Sequence, residues 1–287
     1  MARTAELLPG FLIFRRVLLL GIIALLAWRV TALGVASLQV EALASQGEVA
    51  ARRALDWYPT QAAALYRLGV SLLREDSGRA EALLAEAYFN NPTDPAPLRP
   101  LAGLALARED PTRADSLIQQ VDALRPVNPQ SQRDLGRYWL ERGRPPQAFQ
   151  HWSRAIQADP GLAPGLFETF RGLLKDPGMD EAFQTITRNP PAWWIDFFAD
   201  TATRGKEVAT LRRLYQLRRG SVEVPLTAAE RQRYYQRLLR EGLYQDAYLA
   251  WVNSLNAGQR QQLGFLFNGE FELPLTGLGF DWQIEKS

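Results

Sequence analysis

Apolar residues recur at spacings of three and four along most of this chain, the mark of amphipathic helices, and over part of it the pattern itself repeats. Pro92, Pro126 and Pro160 stand 34 residues apart, and Ala80, Ala114 and Ala148 keep the same spacing. A period near 34 is the length of one helix–turn–helix unit, which cannot bury its apolar face alone and must stack on a neighbour. From Asp94 to Pro126, the residues Leu98, Leu101, Ala102 and Ala105 line one face of a first helix, and Ala114, Ile118 and Val121 line a second. From Pro129 to Pro160 the plan returns with Leu135, Gly136 and Trp139, then Ala148, Trp152 and Ala155. An earlier unit carries Leu65, Leu68, Gly69 and Leu72, then Ala80, Leu84, Ala87 and Pro92, and Ala50 to Pro59 reads as an isolated second helix ahead of it. That makes about three and a half units, near the minimum for a stable stack.

Beyond Pro160 the period fades while the helical pattern continues. Helices are predicted over 162–174, 180–186, 192–203, 208–217, 228–241 and 244–255, separated by Asp-Pro-Gly, Asn-Pro-Pro, Arg-Gly and Glu-Gly breaks. The last residues change character. Phe265 to Pro274 and Leu275 to Trp282 read as short extended pieces broken by glycine and proline.

The N-terminal pattern is of another kind. After Arg15 and Arg16, the twelve residues Val17 to Trp28 are apolar throughout, with the basic flank expected on the cytoplasmic side of a membrane. Twelve helical residues rise about 18 Å, so a span across roughly 30 Å of hydrocarbon must recruit Phe11 to Phe14 or Val30 to Leu38. Arg29 is awkward for such a span, since near the bilayer centre it would cost about 3 kcal/mol. A cleavable signal peptide is the rival reading, with Gly34-Val35-Ala36 as its small-residue cleavage site. The missing turn signal after Arg29 favours an uncleaved anchor, and both readings place the rest of the chain outside the cytoplasm.

Composition narrows the chemistry. Lys+Arg 33 against Asp+Glu 31 leaves a net charge of +2, without the positive field that neutralises many phosphates, so nucleic acid is not an expected partner. The chain has no cysteine, hence no disulfide, thiolate nucleophile or Cys-based zinc site. Its one histidine, His151, lies mid-helix beside Trp152 and reads as a surface residue; no Ser-His-Asp set or His-rich metal site can form around it. The carboxylate pairs Glu109-Asp110, Asp180-Glu181 and Glu270 with Glu272 are each explained by a turn, a helix start or an extended segment. No Gly-rich phosphate loop is present. No catalytic residue, metal or cofactor is therefore expected. The run from Pro190 to Phe198 makes Trp193 and Trp194 a candidate glycan-stacking pair, or else core aromatics behind an N-terminal proline.

The repeating units resemble the tetratricopeptide repeat, whose pattern sets a large residue, Leu-Gly and an aromatic before Ala, an aromatic, Ala and Pro. Gln132 stands where the first large residue belongs, and Ala102 replaces the glycine of the middle unit. The resemblance implies an all-α repeat solenoid; with the N-terminal apolar run and the glycine-broken end, the expected fold is an N-terminal transmembrane helix, the solenoid and a short extended C-terminal tail. The division expected is an anchor at 1–40, tetratricopeptide-like repeats at 41–160, further helical hairpins at 161–263 and the tail at 264–287. It also implies that the first helix of each pair faces a concave groove, pointing Tyr66, Arg99, Gln130, Arg133 and Arg137 inward to hold an acidic or extended segment of an envelope protein. The same side chains also read as an ordinary solvated face. The phrases Asn268 to Glu272 and Phe280 to Trp282 resemble the entry to a jelly-roll domain in membrane-anchored bacterial repeat proteins associated with exopolysaccharide production. The whole then implies a scaffold held in the bacterial inner membrane by residues 11–38, single-pass, with the bulk of the chain periplasmic. A carbohydrate-binding protein touching polysaccharide directly is the alternative, and the non-catalytic helical part of a cell-wall enzyme is a third reading.

Overall fold

The computed structural model describes residues 7–41, 47–221 and 223–282. Among them are fifteen α-helices and no β-strand, and the chain divides into two compact units, Met1–Pro126 and Val127–Ser287. The division falls at Pro126, within the segment expected to form one array of repeats.

The first unit holds α1 (Leu7–Glu41), α2 (Gly47–Trp57), α3 (Ala62–Ser71), α4 (Ser77–Asn90), α5 (Leu98–Ala107) and α6 (Pro111–Leu124), each packed on the next in chain order. The second begins with α7 (Pro129–Glu141) and α8 (Pro145–Ala158). Helices α4, α6 and α8 are each 14 residues long and start 34 residues apart. The alanines that mark the period, Ala80, Ala114 and Ala148, are fully buried, because a methyl group is all that fits where the two helices of a pair cross closely. Asp76 and Asp110 stand just before α4 and α6, where their carboxylates accept the Arg79 and Arg113 N–H groups at 2.9 and 3.0 Å. Arg144 holds the same place before α8 without a side-chain cap, and Pro145 starts that helix.

The predicted helices beyond Pro160 are present as α9 (Ala163–Leu173), α10 (Asp180–Arg188), α11 (Trp194–Arg204), α12 (Val208–Arg219), α13 (Ala228–Arg240) and α14 (Tyr244–Val252), followed by the short α15 (Ala257–Gln261). Their core is aromatic. Phe149, Trp152, Phe167, Phe170, Phe183, Trp193, Trp194 and Phe197 are buried and joined by ring contacts of 5.0 to 6.4 Å. Within this apolar mass lies an ion pair, Arg218 Nε to Glu230 Oε1 at 2.9 Å, with both side chains 1% exposed. Arg218 also donates to the carbonyls of Thr187, Val224 and Pro225, while Glu230 accepts the Trp194 indole N–H at 2.8 Å and closes a capping box with Thr227. Every polar atom of the pair is thereby given a partner, the condition under which a buried charge is tolerated.

Where the pattern predicts an extended tail, residues 264–270 form bends and turns instead, with Asn268 and Phe271 in the left-handed region, and the tail's described residues form no strand. Side chains satisfy its backbone instead: Asn268 bonds both the N–H and the C=O of Leu273, and Asp281 accepts from Thr276. It folds back on the last helices, with Phe267 and Phe280 rings 4.8 and 5.6 Å from Trp251 and the Gly279 N–H donated to Gln232 at 2.9 Å.

At the other end, α1 is one helix of 35 residues. Among the described residues no helix is long and apolar enough to cross a membrane. The uninterrupted stretch of described side chains in α1, Val17 to Thr31, rises about 22 Å, short of a hydrocarbon core of roughly 30 Å.

Candidate functional site

A groove of about 560 Å³ lies between α7 and the start of α9. Its making begins at Gly136, where an added Cβ would stand 2.3 Å from the Trp152 ring. The absence of that carbon lets the indole pack close against α7 and donate its N–H to the Arg133 carbonyl at 3.1 Å. The bond fixes the turn of α7 that carries Arg133 and, one turn on, Arg137, so both face the groove. On the opposite wall Asp159 takes the Gly161 N–H at 2.9 Å, forming a 3-10 turn that feeds α9. Gly165, with open space where a side chain would be, keeps that wall low. Trp152, Leu140, Leu162 and Leu166 supply apolar surface and Thr169 a hydroxyl.

The groove carries two guanidinium groups and one carboxylate. Asp134 lies 3.4 Å from Arg133 and 3.7 Å from Arg137. The arginine side chains are 47% and 69% exposed, so these are solvent-screened contacts, worth at most about 1 kcal/mol each, that leave most of each fork facing water. An apolar floor with cationic forks at its rim suits a chain bearing carboxylates and apolar side chains.

Of the five groove residues named from the sequence, the structure brings Arg133 and Arg137 together. Gln130 is exposed on the first turn of α7 but does not line the groove. Tyr66 and Arg99 belong to the first unit, both half-buried, with Tyr66 packed against Leu84, Leu101 and Leu104. The α9 wall was missed. Leu162, Leu166 and Thr169 follow a helical spacing that marks them as one face, and continuing the 34-residue period past Pro160 would have paired that face with α7.

The structure decides between the two readings of the tryptophan pair, in favour of core aromatics, and corrects the surface reading of the histidine. Trp193 and Trp194 are 5% and 3% exposed, with indole N–H groups bonded to Ser153 and Glu230, so neither ring offers a sugar the open face that stacking needs. His151 is buried at 8% exposure, its Nδ1 2.8 Å from Gln132 Oε1. Gln132, which breaks the repeat pattern, is therefore the buried partner of the imidazole.

Elsewhere Asp110 caps α6, Asp180 receives Arg213 at 2.5 Å, and Glu272 accepts from Gln262 at 3.2 Å. No group of three or more potential metal ligands occurs among the described residues. Burial raises the Tyr215 and Tyr234 phenols above the usual tyrosine range, and their rings stack at 3.8 Å; both stay protonated at neutral pH. A larger cavity, about 780 Å³ between α10 and α12, is lined by Arg212 and Arg213, but these are engaged by Asp246 and Asp180 within the fold. No family model matches the sequence, and no curated protein matches it.

Proposed function

We propose that this chain is a non-catalytic adaptor of the tetratricopeptide type, attached to a membrane through α1, whose α7–α9 groove holds an extended acidic segment of a partner protein. The observation that carries the reading is the convergence of Arg133 and Arg137 over the apolar floor made by Trp152, Leu162 and Leu166. Arginine forks accept carboxylates in bidentate fashion, and an apolar floor takes the alternate side chains of an extended peptide. The 34-residue spacing of α4, α6 and α8 and the buried alanines at their crossings support the repeat type. Attachment is supported by the exposed apolar surface of α1 from Val17 to Val30. Arg15 and Arg16 favour a cytoplasmic position for that end, a reading in which the helices after α1 lie on the outer face of a bacterial inner membrane.

The test is binding of a labelled peptide of alternating glutamate and leucine to the purified full chain, followed by anisotropy. The double variant Arg133→Glu and Arg137→Glu should lose at least about tenfold in affinity, equivalent to about 1.4 kcal/mol, and should gain affinity for the lysine counterpart of the peptide. Unchanged binding of the acidic peptide by the variant would remove the groove from the account.

A further inference from the structure

We infer that the membrane surface crosses this protein at the Trp28–Trp57 pair, with headgroups on one side of it and hydrocarbon on the other. The inference rests on the membrane attachment proposed above and adds its boundary and its lipid contacts.

The rings of Trp28 and Trp57 lie 6.2 Å apart, tilted by 40°. Trp57 is the last residue of α2, and α2 packs on α1, so α2 returns alongside the part of α1 that follows Trp28. Ala51 and Ala54 of α2 sit in the core shared with Ala64, Leu68 and Ala80, which ties α2 into the helical hairpins of the first unit. The other face of α2 is polar: Arg52 pairs with Glu48 at 2.6 Å, and Arg53 and Asp56 are exposed. A helix with such a face stays in water or among headgroups, so hydrocarbon cannot extend past the end of α2.

On the far side of Trp28, α1 has no such companion among the described helices. Val17, Leu18, Leu20, Ile22, Ile23, Leu25 and Leu26 are all exposed, and at 100° per residue they point to every side of the helix. A protein groove covers one stripe of a helix, whereas lipid covers its whole circumference, and apolarity all round is the pattern of a membrane helix. Indole rings favour the interface between hydrocarbon and water, and two of them stand together where the apolar cylinder meets the polar hairpin. Arg29, awkward for a centred span, then falls one residue to the headgroup side, with Arg53 available to anionic phospholipid as well.

Val30 to Leu38 runs alongside α2, so the part of α1 that enters lipid lies the other way, over the apolar run Val17 to Trp28, about 18 Å of helix.

The chain contains no cysteine, so single cysteines report position without background. Leu20→Cys, Leu25→Cys, Thr31→Cys, Gly34→Cys and Val49→Cys variants of the full chain are placed in vesicles of phosphatidylethanolamine and phosphatidylglycerol. A charged maleimide is admitted to both sides by freeze–thaw, with each variant unfolded in denaturant as the reference for full labelling. Loss of labelling at 20 and 25, with full labelling at 31, 34 and 49, is the expected result. Protection reaching 31 and 34 while 49 stays reactive would overturn the boundary and leave the attachment standing. Full labelling at 20 and 25 would overturn the attachment itself.

Discussion

Glu109 holds a backbone φ of 58°, in the left-handed region where a Cβ crowds the following carbonyl, and it does so at the end of α5. The ends of α7 and α13 have the same geometry: Gly143 and Gly242 sit at φ 68° and 73°, and in all three the next N–H reaches back into the last turn at 2.9 Å. Two sites use the residue that suits this position and one does not. Replacing Glu109 with glycine should therefore stabilise the first unit by roughly 0.5–1 kcal/mol, relief of the left-handed strain outweighing the flexibility glycine adds to the unfolded chain. A urea unfolding midpoint raised at constant slope would show it; a lowered midpoint would mean that the Glu109 side chain does more than fill a turn. At this scale the sequence was readable where sterics act alone. Leu68-Gly69 and Leu135-Gly136 mark close helix crossings, because a Cβ at Gly69 would meet Leu84 at 2.9 Å and one at Gly136 would meet Trp152 closer still. Residue identity said less about His151, since a lone imidazole suits surface and core alike and Gln132, its buried partner, lies 19 positions away on another helix.

Among the elements, α12 shows why helix prediction outran prediction of burial. Its sequence, VATLRRLYQLRR, is rich in arginine, yet Leu211, Leu214, Tyr215 and Arg218 fall on one face and all four are buried. The spacing places Arg218 on the core face, but its type speaks for solvent, and only the meeting of α12 with Glu230 of α13 and the 224–225 carbonyls resolves the conflict. The other half of the arrangement was open to inspection, for Thr227 and Glu230 are a capping box at the start of α13. Removing one partner of such a pair leaves the other charge buried and unpaired. Arg218→Met is thus expected to cost about 3–5 kcal/mol in the second unit, and adding Glu230→Gln should recover part of that loss. Chemical unfolding of the single and double variants measures both; an additive double variant would show that Arg218 acts through packing and its carbonyl bonds and not through Glu230.

For the molecule as a whole, the open structural question raised by the sequence is what the glycine-broken tail does. Read as a strand entry, residues 264–282 belong to a separate domain, and the helices should not depend on them. In the structure they cover the last helical pair. A Cβ at Gly279 would stand 2.3 Å from Trp251, and Trp251 itself is buried beneath Phe267 and Phe280. A stack of helical hairpins leaves an apolar face at its end and needs something to close it, and here the chain's own tail serves. Sequence reasoning could not choose between the two roles, because phenylalanine and glycine in short extended runs suit a strand and a packed loop equally; the choice depends on Trp251 and Gln232, residues 28 and 47 positions before Gly279. Ending the chain after Leu263 should uncover Trp251 and lower the stability of the second unit by about 2–3 kcal/mol, the scale of one large side chain returned to water. The shortened chain should also bind more of a hydrophobic dye than the full chain, whose α1 already offers some apolar surface, the increase being the mark of a newly uncovered face. An unchanged unfolding midpoint together with unchanged dye binding would show that the tail is not a cap, and would return it to the role of a domain entry.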